Sequence, residues 1–142
     1  KDKWRIRWDV QEKENGSASY MEEEFGHKPT DEEIHTLVMS WYNSQTDAAI
    51  LSGFAYNGAH VWLSVENQYN YKAAYDLAVQ TGGETLPVTF KFGSDEQPEY
   101  HTFTQLEELK DFYTKAVGFI QTVLAEGWEK KDKFNLELYR IE

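Results

Sequence analysis

Two runs of strand-forming residues, Ile50 to Tyr56 and Ala59 to Leu63, are joined by Asn57-Gly58. This pair restricts the fold more than any other feature. Asn-Gly tolerates the two left-handed positions of a type I′ turn, so the chain is expected to reverse there and pair with itself as a hairpin. Ser64 then offers a hydroxyl to the free amides of a helix start, and Tyr71, Ala74, Tyr75 and Ala78 fall on one stripe at helical spacing. The segment reads as strand, turn, strand, helix.

The same device recurs along the chain. Trp4, Ile6, Trp8 and Val10 alternate with Arg5, Arg7 and Asp9, the period of a half-buried strand. After Asn15-Gly16, residues Ser17 to Glu24 can return antiparallel. Thr30 and Glu33 form a capping box that opens a helix with Ile34, Leu37, Val38 and Trp41 on one side. That helix is expected to stop near Asn43 or Ser44, where a polar stretch begins. Thr81-Gly82-Gly83 is a stop signal for the second helix, and Leu86 to Phe92 reads as a strand with Val88, Phe90 and Phe92 on one face and Pro87 near its start. Ser94 to Pro98 is a loop, from which Tyr100 to Phe103 pairs back.

Thr104-Gln105-Leu106-Glu107 reads as a second capping box, opening the longest helix, with Leu106, Leu109, Tyr113, Ala116, Val117, Ile120 and Leu124 at core-facing intervals. Gly127 is expected to end it, and Trp128 to pack back over its last turn. Leu136 and Leu138 alternate with polar groups in the final nine residues, the pattern of a last strand. No repeat period is present, and hairpins interleaved with helices give an α+β fold class: an antiparallel sheet built from hairpins, with about three helices packed on one face.

At 142 residues the chain is the size of one domain, expected to span 1–142. Such a domain can bury about 68–70% of its unfolded surface. There are no cysteines, which excludes disulfides, thiolate metal sites and a cysteine nucleophile. Twenty-five acidic against fourteen basic residues give a formal charge of −11, a field that repels phosphate backbones and anionic membrane surfaces, so neither nucleic acid nor membrane is an expected partner. No apolar run approaches the roughly 20 residues needed to cross a bilayer. The chain starts at Lys1 and not at methionine, as expected where an upstream piece has been removed.

Catalytic patterns are lacking. His27, His35, His60 and His101 lie on different elements and form none of the metal-binding spacings. Leu51-Ser52-Gly53 lacks the first glycine of a nucleophile elbow. Glu107 and Asp111 stand one helical turn apart, whereas a glycosidase pair faces across a cleft. Gly82-Gly83 closes a helix and is not followed by the lysine of a phosphate loop. A non-enzymatic protein without a metal or other cofactor is expected.

The densest polar and aromatic cluster is Glu66-Asn67-Gln68-Tyr69-Asn70-Tyr71, directly after Trp62. Trp62, Glu66, Asn67, Gln68, Tyr69, Asn70 and Tyr71 are therefore the candidate binding residues. Tyrosine and tryptophan rings can stack on apolar faces while the amides supply donors and acceptors, which suits a peptide or a sugar. The competing reading has Asn67 and Asn70 satisfying local backbone groups while Tyr71 and Tyr75 fill the space between helix and sheet.

Ile50-Leu51-Ser52-Gly53-Phe54, Asn57-Gly58, Val61-Trp62-Leu63-Ser64 and Glu66 to Tyr71, followed by Leu86-Pro87, His101-Thr102-Phe103 and Gly127-Trp128-Glu129-Lys130-Lys131, resemble an uncharacterised domain of bacteriophage and prophage tail-associated proteins. The resemblance covers Thr46 to Lys133, with residues 1–45 outside it as an amino-terminal hairpin and helix. It implies a structural, accessory or assembly module of a tail that acts through protein–protein contacts, with other phage proteins or further copies of itself as partners, in the virion or the host cytoplasm. The alternative that it implies is a glycan-binding module, with Trp62, Tyr69 and Tyr71 stacking on a sugar and Asn67 or Asn70 bonding to it.

Overall fold

A computed structural model describes residues 3 to 139. Its elements are β1 (Trp4–Glu12), β2 (Ala18–Phe25), α1 (Asp31–Ser52), β3 (Phe54–Tyr56), β4 (Ala59–Val61), α2 (Val65–Gln80), β5 (Val88–Gly93), β6 (Pro98–Phe103) and α3 (Leu106–Asp132), closed by a 3-10 turn at Leu136–Tyr139. The α+β class holds. The strands form three separate antiparallel ribbons, β1-β2, β3-β4 and β5-β6, in place of one continuous sheet. The chain divides into two compact units, one of residues 1–44 with 129–142 and the other of residues 45–128.

In the first unit, Ile6 and Trp8 of β1 pack with Ile34 and Val38 of α1, bordered by Phe25, Trp41, Phe134 and Leu136. The other face of the ribbon is charged, and its register sets Arg5 opposite Glu24 and Arg7 opposite Glu22. Arg7 Nε donates to Glu22 Oε1 at 2.7 Å and Arg5 Nε to Glu24 Oε2 at 3.2 Å. The ladder shifts register after Trp8, where Asp9 takes a positive φ of 52°. The capping box at the start of α1 is formed as expected: Glu33 N–H donates to Thr30 Oγ1 and Thr30 N–H to Glu33 Oε1.

In the second unit the core is a nest of rings. Phe112 of α3 stands within 6.3 Å, centroid to centroid, of Phe54, Tyr56, Tyr71, Phe90, Phe92 and Phe103. Val61, Leu63, Ala78 and Leu109 complete it. Asn57 (φ 49°) and Gly58 (φ 82°) supply the two left-handed positions of the β3-β4 turn.

Four local expectations are corrected. The helix expected to stop at Asn43 or Ser44 runs on to Ser52, so the strand expected from Ile50 begins only at Phe54. Ile50 packs against the second core from the helix, and the polar stretch Ser44 to Asp47 is that helix's more exposed side with Thr46 turned inward. The box opening α3 is shifted by one residue, because Glu108 and not Glu107 accepts from Gln105 N–H and Thr104 Oγ1. The closing residues form a 3-10 turn and no strand up to Tyr139; the remainder of that expected strand lies outside the described residues.

Gly127 is the fourth. It does not end α3, which continues to Asp132, and Trp128 stays exposed. Gly127 is buried against Thr46 of α1, and a Cβ there would collide with Thr46 Oγ1. A glycine lets two helices approach at this point, at a helix-propensity cost of about 1 kcal/mol relative to alanine. Gly127→Ala is expected to destabilise by about 1–3 kcal/mol through overpacking. Adding Thr46→Ala should return stability to within about 1 kcal/mol of the parent, a coupling that a double-mutant cycle in urea reads directly.

Candidate functional site

The turn from β4 into α2 places the candidate residues. Ser64 caps α2 by accepting from Asn67 N–H at 3.2 Å. The same turn is tied from the other side, since Asn67 Nδ2 donates to Trp62 C=O at 3.0 Å and Gln68 Nε2 to Leu63 C=O at 2.8 Å. Both amides are thereby spent on backbone carbonyls that leave β4 without a strand partner. Trp62 Nε1 donates to Gly93 C=O at 2.6 Å, and its ring lies edge-on to His60, whose Nε2 is 2.6 Å from Ser52 C=O. The indole is fixed in place yet 46% exposed.

The tyrosines separate. Tyr69 is 77% exposed, whereas Tyr71 is 3% exposed and packs edge-on against Phe90 and Phe112. Burial pushes the Tyr71 hydroxyl up to about 12, so it stays protonated at neutral pH. A stacking role for Tyr71 at the surface is corrected: its ring belongs to the core and meets the exterior only as floor. Glu66 and Asn70 are exposed on the first turns of α2.

Beside these residues runs a groove of about 300 Å³ between the start of α2 and the middle of α3. Val65 and Tyr69 form its rim, Leu63 and Tyr71 its floor, and Ala116 and Ile120 its far wall. Val65 is 70% exposed although it is β-branched and apolar. The α3 residues were legible as an apolar stripe, which predicts core packing. That some of the stripe is left over to line a groove depends on a contact distant in sequence. Val65 carried a signal of its own, an apolar side chain off the Tyr71, Ala74, Tyr75, Ala78 stripe.

A cluster of ionisable groups joins β3 to α3. Tyr56 Oη donates to Asp111 Oδ2 at 2.9 Å, and Lys115 Nζ lies 3.2 Å from the same oxygen. Burial and then this bond push Tyr56 up to about 12, while the bond from Tyr56 and then Lys115 hold Asp111 below its ordinary range. Among the described residues no group of three His, Asp or Glu is placed to hold a metal ion, and no helix is long and apolar enough to cross a membrane.

A family model described as a domain of unknown function, DUF4376, matches residues 33–142, more than half of the chain. The chain belongs to the DUF4376 family. The family region starts within the first turn of α1 and takes in all of α2, α3 and the groove between them. It is wider than the Thr46 to Lys133 span of the resemblance, and its description carries no association with a bacteriophage or a tail. No curated protein and no solved structure matches the chain.

Proposed function

We propose that this DUF4376 protein is a non-enzymatic interaction module that docks a protein partner on the α2-α3 groove, and that its setting is a phage or prophage tail. One observation carries the docking surface: Val65 and Tyr69 are exposed on the rim of an apolar groove. A surface that leaves a tyrosine ring and a valine in water around an apolar slot suits the burial of a partner's apolar side chain, since aromatic residues are enriched in such contacts. The tail setting rests on the sequence resemblance alone. Within it, other tail proteins or a second copy of the chain are the partners.

Sugar binding through the same ring platform is the weaker reading. Asn67 and Gln68 already donate to Trp62 and Leu63 carbonyls, leaving Asn70 as the amide on offer, and Tyr71 does not reach the surface as a stacking ring.

Tyr69→Ala tests the proposal. The exposed ring contributes little to folding, so stability should stay within about 0.5 kcal/mol. Capture of tail proteins encoded beside this gene should fall by at least about tenfold, the loss expected for a contact worth more than 1 kcal/mol. Undiminished capture by Tyr69→Ala and by Val65→Ser would overturn the docking surface. Binding to a glycan array that depends on Trp62 would favour the sugar.

A further inference from the structure

An asparagine that precedes a glycine can react with its own main chain, and this sequence has two such pairs, Asn15-Gly16 and Asn57-Gly58. The fold treats them differently. Asn15 stands in the turn that joins β1 to β2, where Lys13 to Ser17 are all exposed. Its Oδ1 accepts from Ser17 N–H at 3.0 Å and from Ser17 Oγ at 2.6 Å. A main-chain N–H only donates, so the atom that faces it is the amide oxygen and not the amide nitrogen. An asparagine whose oxygen reaches the N–H two residues on is folded back over the peptide between them, which carries its Cγ toward Gly16 N. Gly16, at φ 83°, has nothing within 4 Å of where a Cβ would stand, so no side chain crowds that approach.

We propose that Asn15 is a self-modifying site, at which Gly16 N displaces the side-chain amide nitrogen to form a succinimide that water opens to aspartate or isoaspartate. Solvent hydroxide takes the proton of Gly16 N–H, which in the resting turn is donated to Lys13 C=O at 3.0 Å. The nitrogen bonds to Asn15 Cγ, and the carbonyl electron pair moves onto Oδ1, where both Ser17 donors stand. Donors placed in advance on an oxygen that gains charge lower the barrier to charging it. The Cγ–Nδ2 bond then breaks, and ammonia leaves with a proton from water, restoring the hydroxide. Water next adds to one of the two succinimide carbonyls and cleaves that carbon from the nitrogen. Opening at Cγ gives aspartate, and opening at the main-chain carbon gives isoaspartate.

Each of the other asparagines lacks a part of this arrangement. Asn135 Oδ1 accepts from Glu137 N–H at 3.1 Å in the same kind of turn, but the residue between them is Leu136, whose side chain crowds the nitrogen. Asn43, Asn67 and Asn70 are held in α1 and α2, and each precedes a residue with a side chain. Asn57 has its glycine, yet it stands in a two-residue turn with Tyr56 and Ala59 paired on either side and Tyr56 buried. Ring closure there has to turn the Asn57-Gly58 peptide and unpair those neighbours beside the core. At Asn15, conversion adds a negative charge next to Glu14, and isoaspartate also lengthens the main chain by one carbon inside the turn closed by Lys13 N–H and Ser17 C=O at 2.8 Å. The site is independent of the docking groove, which belongs to the second unit.

The test follows the purified chain in neutral buffer by peptide mass spectrometry, with isoaspartate and aspartate products separated by chromatography. In the folded chain Asn15 is expected to lose its amide at least about tenfold faster than Asn57, the rate equivalent of one to two hydrogen bonds. Ser17→Ala should slow the loss at Asn15 by about two- to tenfold, the equivalent of one exposed hydrogen bond, and leave Asn57 unchanged. In concentrated guanidinium chloride the rates at the two sites should draw together, because neither turn is then held. Equal loss at both sites in the folded chain, or an unchanged rate at Asn15 in Ser17→Ala, overturns the proposal. A gap between the sites that persists undiminished in the denaturant also overturns it, since neighbouring sequence and not the folded turn then sets the rate.

Discussion

Gly53→Ala is expected to destabilise the chain by about 4 kcal/mol or more, beyond the range of most single substitutions. Gly53 joins α1 to β3, with φ at +81° and its N–H donating to Ile50 C=O at 3.0 Å. A Cβ at this position would fall onto the backbone carbonyl of Val61, closer than any real Cβ approaches. Val61 is fully buried and paired with Phe54, so its carbonyl has nowhere to retreat without breaking the β3-β4 ribbon. The control is Gly58→Ala, which has the same sign of φ (+82°) and nothing within 4 Å. There only the left-handed backbone penalty applies, about 1–2 kcal/mol. Urea melts followed by circular dichroism separate the two. Equal losses would show that the close approach to Val61 contributes nothing.

The second large effect is at Phe112. It is 0% exposed and touches rings from β3, α2 and both strands of the β5-β6 ribbon. Phe112→Ala is expected to cost about 3–5 kcal/mol, the sum of lost transfer energy and an unfilled cavity, because rings held from four directions collapse poorly into the space. The neighbouring Tyr113 is a useful contrast. It stacks on Tyr75 at 4.9 Å but is only half-buried, so Tyr113→Ala should cost clearly less in the same denaturant series.

The parts of the fold that were legible in the sequence are those fixed by neighbours a few residues away. Asn57-Gly58 encodes its own turn, Ser64 its own cap, and Thr30 with Glu33 a closed pair of hydrogen bonds. What was misread depended on distant partners. Gly127 carries the local signature of a helix end, yet Thr46, far off in sequence, makes use of its missing side chain. The polar residues from Ser44 to Asp47 look like a break, although Ser44, Gln45 and Asp47 lie on the outer side of the helix, where polar residues do not end it, and Thr46 turns inward to Gly127. Leu136 and Leu138 alternate as in a strand, but alternation over so few residues also suits a 3-10 turn. Glu107 and Glu108 are adjacent carboxylates, and sequence alone does not decide which one reaches back to the first turn.

The candidate site divides along the same line. The amides of Asn67 and Gln68 serve the turn on which they stand, a role open to a local reading. The slot between α2 and α3 is visible only once Val65 and Tyr69 are set beside Ala116 and Ile120.

The placement of the indoles has a spectroscopic consequence. The ring nest of the second unit contains phenylalanine and tyrosine but no tryptophan, whereas Trp8 and Trp41 sit edge-to-face at 6.1 Å in the first unit, and Trp62 and Trp128 are exposed. The buried part of the tryptophan emission therefore reports on the amino-terminal ribbon and its helix, while near-ultraviolet dichroism from phenylalanine and tyrosine reports on the nest around Phe112. One melting experiment with two detectors can follow both halves of the molecule at once, and coincidence or separation of the two curves measures how cooperatively they come apart.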